Sequence, residues 1–169
     1  PKAYDKFFVE TWVDSALRSF TSRNFKIVGE SGHVYGYGKS VWAMIDLDTR
    51  HPADILAVRG GLITEYIETE YPCPIEKSSR VKLSVGTTPM RSIDTYYNDV
   101  DINGHINSVK YIEHVLDLWD VSWYKQHSIK RFEIAYVAES HQGDRLHFYR
   151  EGRDSDTDFN VRITKSNRD

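Results

Sequence analysis

Apolar and polar positions alternate with one period in the first part of this chain and change period near its middle. In residues 5–13, Phe7, Val9, Thr11 and Val13 recur at every second position, the spacing of a strand. Residues 18–28, with Phe20, Phe25, Ile27 and Val28, predict a second strand, closed by the turn cluster Gly29-Glu30-Ser31-Gly32. Residues 33–47 predict a third, long and aromatic strand through Val34, Tyr35, Tyr37, Val41, Trp42, Met44 and Ile45. Gly36 and Gly38 inside it predict a bulge or the close approach of another backbone. Residues 53–60 fit a short helix that Gly60-Gly61 would break. Beyond it, the charged stretch around Tyr71-Pro72-Cys73-Pro74 suits neither a helix nor a central strand, so residues 61–80 read as a connector.

The second half runs strand, helix, strands. Residues 90–97 predict a strand that leads into a dense polar stretch, Tyr97 to Tyr111. A helix follows over about 105–119, with Val109, Ile112, Val115, Leu116 and Trp119 on one face and Lys110, Glu113, His114 and Asp117 on the other. Asn103 and Gly104 suit its entry, which would set the polar cluster at a helix N-terminus. Unpaired N–H groups and the helix dipole there can hold an oxyanion. Residues 129–138 alternate again, with Ile129, Arg131, Glu133 and Ala135 on one side and Phe132, Ile134, Tyr136 and Ala138 on the other. Residues 145–151 and 159–164 predict further strands, separated by polar turns. This is an α+β order in which an antiparallel sheet wraps one helix, with no βαβ alternation.

Composition narrows the classes. The 169 residues are 40% hydrophobic and 28% charged, ordinary for one or two small globular domains. Aromatics at 13% agree with strand-rich structure. A net charge of −3 offers no basic field for nucleic acid. The single cysteine, Cys73, excludes an internal disulfide, so a reducing, cytoplasmic setting is expected. No apolar run is long enough to span a bilayer, so no membrane partner is expected. Neither metal-ligand spacing nor a phosphate loop occurs, so neither a metal nor a cofactor is expected.

The candidate chemistry is carboxylate and imidazole chemistry. Asp101, Asn103, His105 and Asn107 alternate within seven residues, and Glu139-Ser140 ends the alternating segment before the turn His141-Gln142-Gly143-Asp144. Taken singly, these residues read as turn, cap and solvated strand-end groups. A carboxylate can serve as a general base, an imidazole can handle a proton and a carboxamide can face a carbonyl, and the residues alone leave this and the plain turn and cap roles both open.

Three ordered blocks carry a resemblance. Asp101-x-Asn103-x-His105-x-Asn107 with Tyr111, the segment Phe132 to Ser140, and Val41-Trp42-x-Met44 with Thr49-Arg50 resemble the acyl-ACP thioesterases of fatty-acid synthesis. Glu10-Thr11-Trp12-Val13 is also similar to a strand of that family. The resemblance implies tandem hot-dog domains, each an antiparallel sheet around a central helix, with a strand and a long helix before Pro1 and a further strand after Asp169. On that reading residues 1–60 are the later strands of an incomplete first domain. Residues 61–80 connect, and 81–169 form the second domain with the catalytic motif. The implied activity is hydrolysis of fatty acyl-ACP to free fatty acid. Its partner is acyl carrier protein, whose acidity calls for basic residues such as Lys125, Lys130, Arg131 or Arg145. Self-association into a homodimer stays open.

The resemblance also implies roles. Glu139 is the first choice of general base for water and His105 the proton-transfer or water-orienting residue. Asn103 would hold the carbonyl or the water. Asp101 would orient Asn103 or His105, or share in activating water, so two carboxylates compete as base. The plant enzymes have cysteine where this chain has Ser140, and Cys73 matches no motif, so a thiolate nucleophile is not expected. Ser140 has no Gly-x-Ser-x-Gly elbow and reads, with Asn107, as a residue that supports the site. Val41, Trp42, Met44 and Tyr37 are candidate acyl-lining residues, with plain core as the competing role. Two rival readings share the motif: a hot-dog acyl-CoA thioesterase, and a non-catalytic acyl-binding hot-dog module.

Overall fold

The computed structural model describes residues 1–76, 81–82, 88–153 and 155–166. Its chain divides into two compact units, Pro1–Lys77 and Ser78–Asp169. The expected start of the second domain near Val81 and the last residues of the expected connector lie largely outside the described residues.

The first unit is an antiparallel meander of β1 (Phe7–Leu17), β2 (Phe20–Gly29) and β3 (Val34–Ala43), ordered β1-β2-β3. Its second connection turns where the glycines predicted, with Gly32 at a φ of +82° and the Gly29 N–H donating to His33 O at 2.9 Å. Ile27 pairs with Gly36 but Val28 with Val34, which leaves Tyr35 as an extra residue. The bulge predicted in this strand therefore lies beside Gly36. Gly38 sits opposite Phe25, whose side chain a Cβ would meet at an ordinary 3.5 Å. Val13 and Val28 are buried, and so is Asn24 on the central strand, which donates to Asp14 Oδ1 at 3.3 Å. The Lys39 ammonium, 2.8 Å from the other Asp14 oxygen, holds that carboxyl below the ordinary aspartate value. Beyond Ala43 the predicted strand gives way to a turn, because Asp46 Oδ1 accepts the Asp48 and Thr49 N–H groups.

The helix expected over 53–60 is displaced. A 3-10 segment spans Val58–Tyr66 instead and passes through left-handed Arg59, Gly60 and Gly61. The Asp54 side chain accepts the Leu56 N–H and turns the chain early. The two glycines then bend the segment from within rather than ending a helix. Ile67 makes a parallel bridge to Val13.

The second unit packs α1 (Ser108–Leu116) on a sheet of β4 (Arg91–Asp94), β5 (Arg145–Gly152) and β6 (Phe159–Ser166), ordered β4-β5-β6 and antiparallel. Leu146 and Phe148 on central β5 are fully buried against Ile106, Tyr111, Val115 and Leu118, with Ile93, Val161 and Ile163 at the margin. The buried stripe is thus 111, 115 and 118, rotated from the stripe predicted through Val109, which is exposed. His114, expected on the solvent face, lies edge-on to Phe148. Tyr111 is the larger apolar body, and seating it in the core turns the helix. At the other end of the helix, Arg91 donates to Asp117 O at 3.1 Å and Arg150 to Leu118 O at 3.0 Å, where unpaired carbonyls need donors. A short α2 (Val121–Tyr124) follows, capped by Asp120.

The strand expected over 129–138 is absent among the described residues. β5 already has β4 on one edge and β6 on the other. Both predicted faces of 129–138 meet solvent, with Phe132, Ile134, Tyr136 and Val137 all exposed. Alternation set the faces of a strand but supplied no partner for its ladder. The segment touches α1 through Tyr136, whose hydroxyl donates to Ser108 O at 3.1 Å and whose ring lies edge-on to Tyr111. Among the described residues no helix is long and apolar enough to cross a membrane.

Candidate active site

The polar motif forms a tight loop that runs into the helix, which begins at Ser108 rather than near residue 105. Val100 and Ile106 make an antiparallel bridge, and the Asp101 N–H donates to His105 O at 2.8 Å. Between them Asp101 Oδ1 accepts the N–H of Asn103 at 2.8 Å and of His105 at 3.2 Å. Gly104 closes the loop at a φ of +82°, where an L side chain is strained. The helix cap is Asn107, not Asn103: its Oδ1 accepts the Val109 N–H at 2.9 Å. Asn107 therefore occupies a first-turn donor that sequence reasoning offered to an oxyanion.

Within this loop Asp101 and His105 are half-buried and Asn103 is exposed, with its carboxamide free of hydrogen bonds to the described residues. His105 Nε2 lies 3.3 Å from Glu139 Oε2, with the imidazole 27% and the carboxylate 53% exposed. The predicted base and imidazole thus come together across 34 residues of sequence. Ser140 is buried, and its carbonyl accepts the Ile106 N–H at 2.8 Å. That bond joins the segment bearing Glu139 to the loop bearing His105. Glu139 follows an irregular segment rather than ending a strand against the helix.

Further groups that the sequence reading did not single out converge here. The His141 ring meets the His105 ring edge to face, centroids 5.0 Å apart. Its backbone N–H donates to Asp144 Oδ2 at 3.0 Å, and Lys165 Nζ reaches the same oxygen at 3.1 Å and Glu139 O at 2.8 Å. Chiefly through the His141 N–H, and with help from Lys165 against the opposing effect of burial, the Asp144 carboxyl is held below the ordinary aspartate value. Buried Thr95 shares its hydroxyl between the carbonyls of His141 and Asp144, at 2.9 and 2.8 Å. Lys165 lies on β6, far along the sequence, and no local pattern marks it.

The candidate acyl-lining residues are not enclosed: Val41, Trp42 and Tyr37 are exposed and Met44 half-buried. Among the candidate docking cations, Arg131 pairs with Glu133 and Arg145 with Asp94, while Lys125 and Lys130 are exposed.

Comparison with known proteins agrees with this architecture. The profile of the acyl-ACP thioesterase N-terminal domain matches residues 1–58, and that of the C-terminal domain matches residues 84–168. An acyl-ACP thioesterase structure from Bacteroides thetaiotaomicron superposes with a TM-score of 0.87 at 47% identity, over 98% of this chain and 65% of that one. A 12:0-ACP thioesterase from Umbellularia californica superposes at 0.74 with 20% identity, over 98% of this chain and 62% of that one, a likeness of fold. The chloroplastic palmitoyl-acyl carrier protein thioesterase of Gossypium hirsutum is 26% identical over 163 residues, 94% of this chain. The chain spans 40% of the length of that relative. The α+β, hot-dog-type fold expected from the sequence is the one these structures share. By the two profile matches, which together cover most of its length, this chain belongs to the acyl-ACP thioesterase family.

Proposed function

We propose that the protein from which this chain comes hydrolyses the thioester of fatty acyl-acyl carrier protein, releasing free fatty acid and the carrier thiol. The observation that carries the reading is the 3.3 Å approach of Glu139 to His105 within a chain of this family. In the reaction, Glu139 takes a proton from water as the water oxygen attacks the carbonyl carbon. His105, beside that carboxylate, orients the water and passes the proton on. The exposed Asn103 carboxamide is the donor available to the carbonyl oxygen as it gains charge. Collapse of the tetrahedral intermediate breaks the C–S bond, and the departing thiolate takes the proton. Glu139 is preferred over Asp101 as base because one Asp101 oxygen already accepts two backbone N–H groups.

In this reading residues 1–60 belong to the first hot-dog domain, 61–80 connect, and 81–169 carry the catalytic motif. Ser140 and Asn107 support the site through a buried carbonyl link and a helix cap. A cytoplasmic location fits the single, unpaired cysteine, although the plant relatives are named as chloroplastic.

Thiol release from acyl-carrier and matched acyl-CoA substrates, measured with the full-length protein and its Glu139→Gln variant, tests the reading. Carrier substrates should be cleaved faster, with kcat falling by about two or more decades in the variant. Faster cleavage of acyl-CoA makes it a CoA thioesterase. Acyl binding without thiol release makes it a binding module.

A further inference from the structure

The His105 imidazole is restrained on one side only by the carboxylate it faces. Among the described residues no hydrogen bond fixes its second ring nitrogen, the usual device for holding a working imidazole in one orientation. The ring also makes an aromatic contact. Glu139 and His141 are separated by one residue and both turn toward His105, while Ser140 between them is buried. One meets the ring at Nε2 from 3.3 Å, and the other meets it edge to face with centroids 5.0 Å apart. Ring pairs of this geometry attract through their quadrupoles and hold each other's planes.

His141 is itself exposed, and its backbone sets where the ring starts from. That backbone is tied at both of its polar groups. Its N–H goes to Asp144 Oδ2, and its carbonyl accepts from the Asp144 N–H and lies beside the Thr95 hydroxyl. Lys165 on β6 ties Asp144 and the Glu139 carbonyl to the sheet, and the Ile106 N–H ties Ser140 to the motif loop. The charged groups facing His141 are Glu139, Asp144, Lys165 and, when protonated, His105 itself.

We propose that His141 is a positioning residue: its ring fixes the plane of the His105 imidazole and keeps Nε2 directed at Glu139. The kinetic consequence rests on the hydrolase reading above, and the ring contact does not. A misdirected imidazole slows the chemical step without weakening the grip on a substrate held elsewhere, so the effect falls on kcat rather than KM.

The test uses the full-length protein, His141→Ala and His141→Phe, with histidine-ring NMR and thiol release from acyl-carrier substrate. The wild type should give a cross-relaxation peak between the two rings, and H141A should move the His105 ring resonances. H141A should lose about tenfold in kcat with KM unchanged within about twofold, and H141F, which keeps an aromatic edge, should recover most of the loss. No ring contact, or an unchanged kcat in H141A beside a wild type that E139Q abolishes, overturns the proposal alone. So does equal impairment of both variants, since an aromatic edge and not an imidazole is what H141F restores. A wild type that releases no thiol overturns the hydrolase reading, and the NMR arm then decides the contact by itself.

Discussion

Asp101 does its visible work with one oxygen and two backbone N–H groups, those of Asn103 and His105. That geometry separates the two carboxylates that compete for the role of base. An amide at position 101 keeps an acceptor oxygen and therefore keeps the loop, while an amide at position 139 removes the proton acceptor. Asp101→Asn should hold kcat within about tenfold of wild type, whereas Glu139→Gln loses two decades or more. Thiol-release kinetics on the two variants side by side read the difference, and collapse of Asp101→Asn beside an active Glu139→Gln would move the base to Asp101. The residues of this loop were legible because Asp, Asn and Gly have strong turn preferences and alternate here. What the alternation did not reveal is that Asn107, not Asn103, caps the helix. Both are good caps, and the choice depends on the bridge between Val100 and Ile106, a tertiary feature.

The turn at 139–144 is the element on which the site depends most, and it is held by a carboxylate. Asp144 sits below the ordinary aspartate value because the His141 N–H and Lys165 bind its charged form. A depressed folded value means the contribution is complete above the unfolded value, about pH 4, and is lost as pH falls through the lower folded value. Asp144→Asn should therefore melt about 3 °C below wild type at pH 7, and the gap should begin to narrow below about pH 4 and vanish only below the lower folded value. Paired thermal melts taken down through the acid range check it, and a gap that does not narrow at all as the pH falls below about 4 would assign the loss to something other than this charge. Element by element, the strands with neighbours were the readable ones. β1, β2 and β3 follow their alternation because each is paired, and the extra Tyr35 falls beside the glycine that predicted it. Residues 129–138 carry as clean an alternation and form no strand among the described residues, since period alone cannot supply a ladder partner. The helix over 53–60 failed for a different reason: an Asx turn at Asp54 and two left-handed glycines outweigh a weak local preference.

For the molecule as a whole, the α+β class was legible from the order strand, helix, strands, and the site from the motif it shares with a family. The anchoring of that site was not, because Thr95, Asp144 and Lys165 are brought together by the β4-β5-β6 sheet. The core beneath this sheet should then govern activity indirectly. Phe148 is fully buried on the central strand, between α1 and the marginal residues of the neighbouring strands. Truncating it to alanine removes a whole aromatic side chain from a close-packed cluster and should cost about 3–5 kcal/mol. Against a typical stability of about 5–15 kcal/mol, the protein stays folded when cool and fails on modest warming. Phe148→Ala should thus keep much of its activity at low temperature and lose it at the temperature where amide exchange across β5 and α1 accelerates. If Glu139 is the base, E139Q should behave in the opposite way, slowed by about two or more decades at every temperature with unaltered exchange. Measuring thiol release and hydrogen exchange on both variants over one temperature series separates a residue that does chemistry from one that holds the chemistry in place. Loss of activity in Phe148→Ala while its exchange stays at the wild-type rate would contradict the purely structural role given to that core.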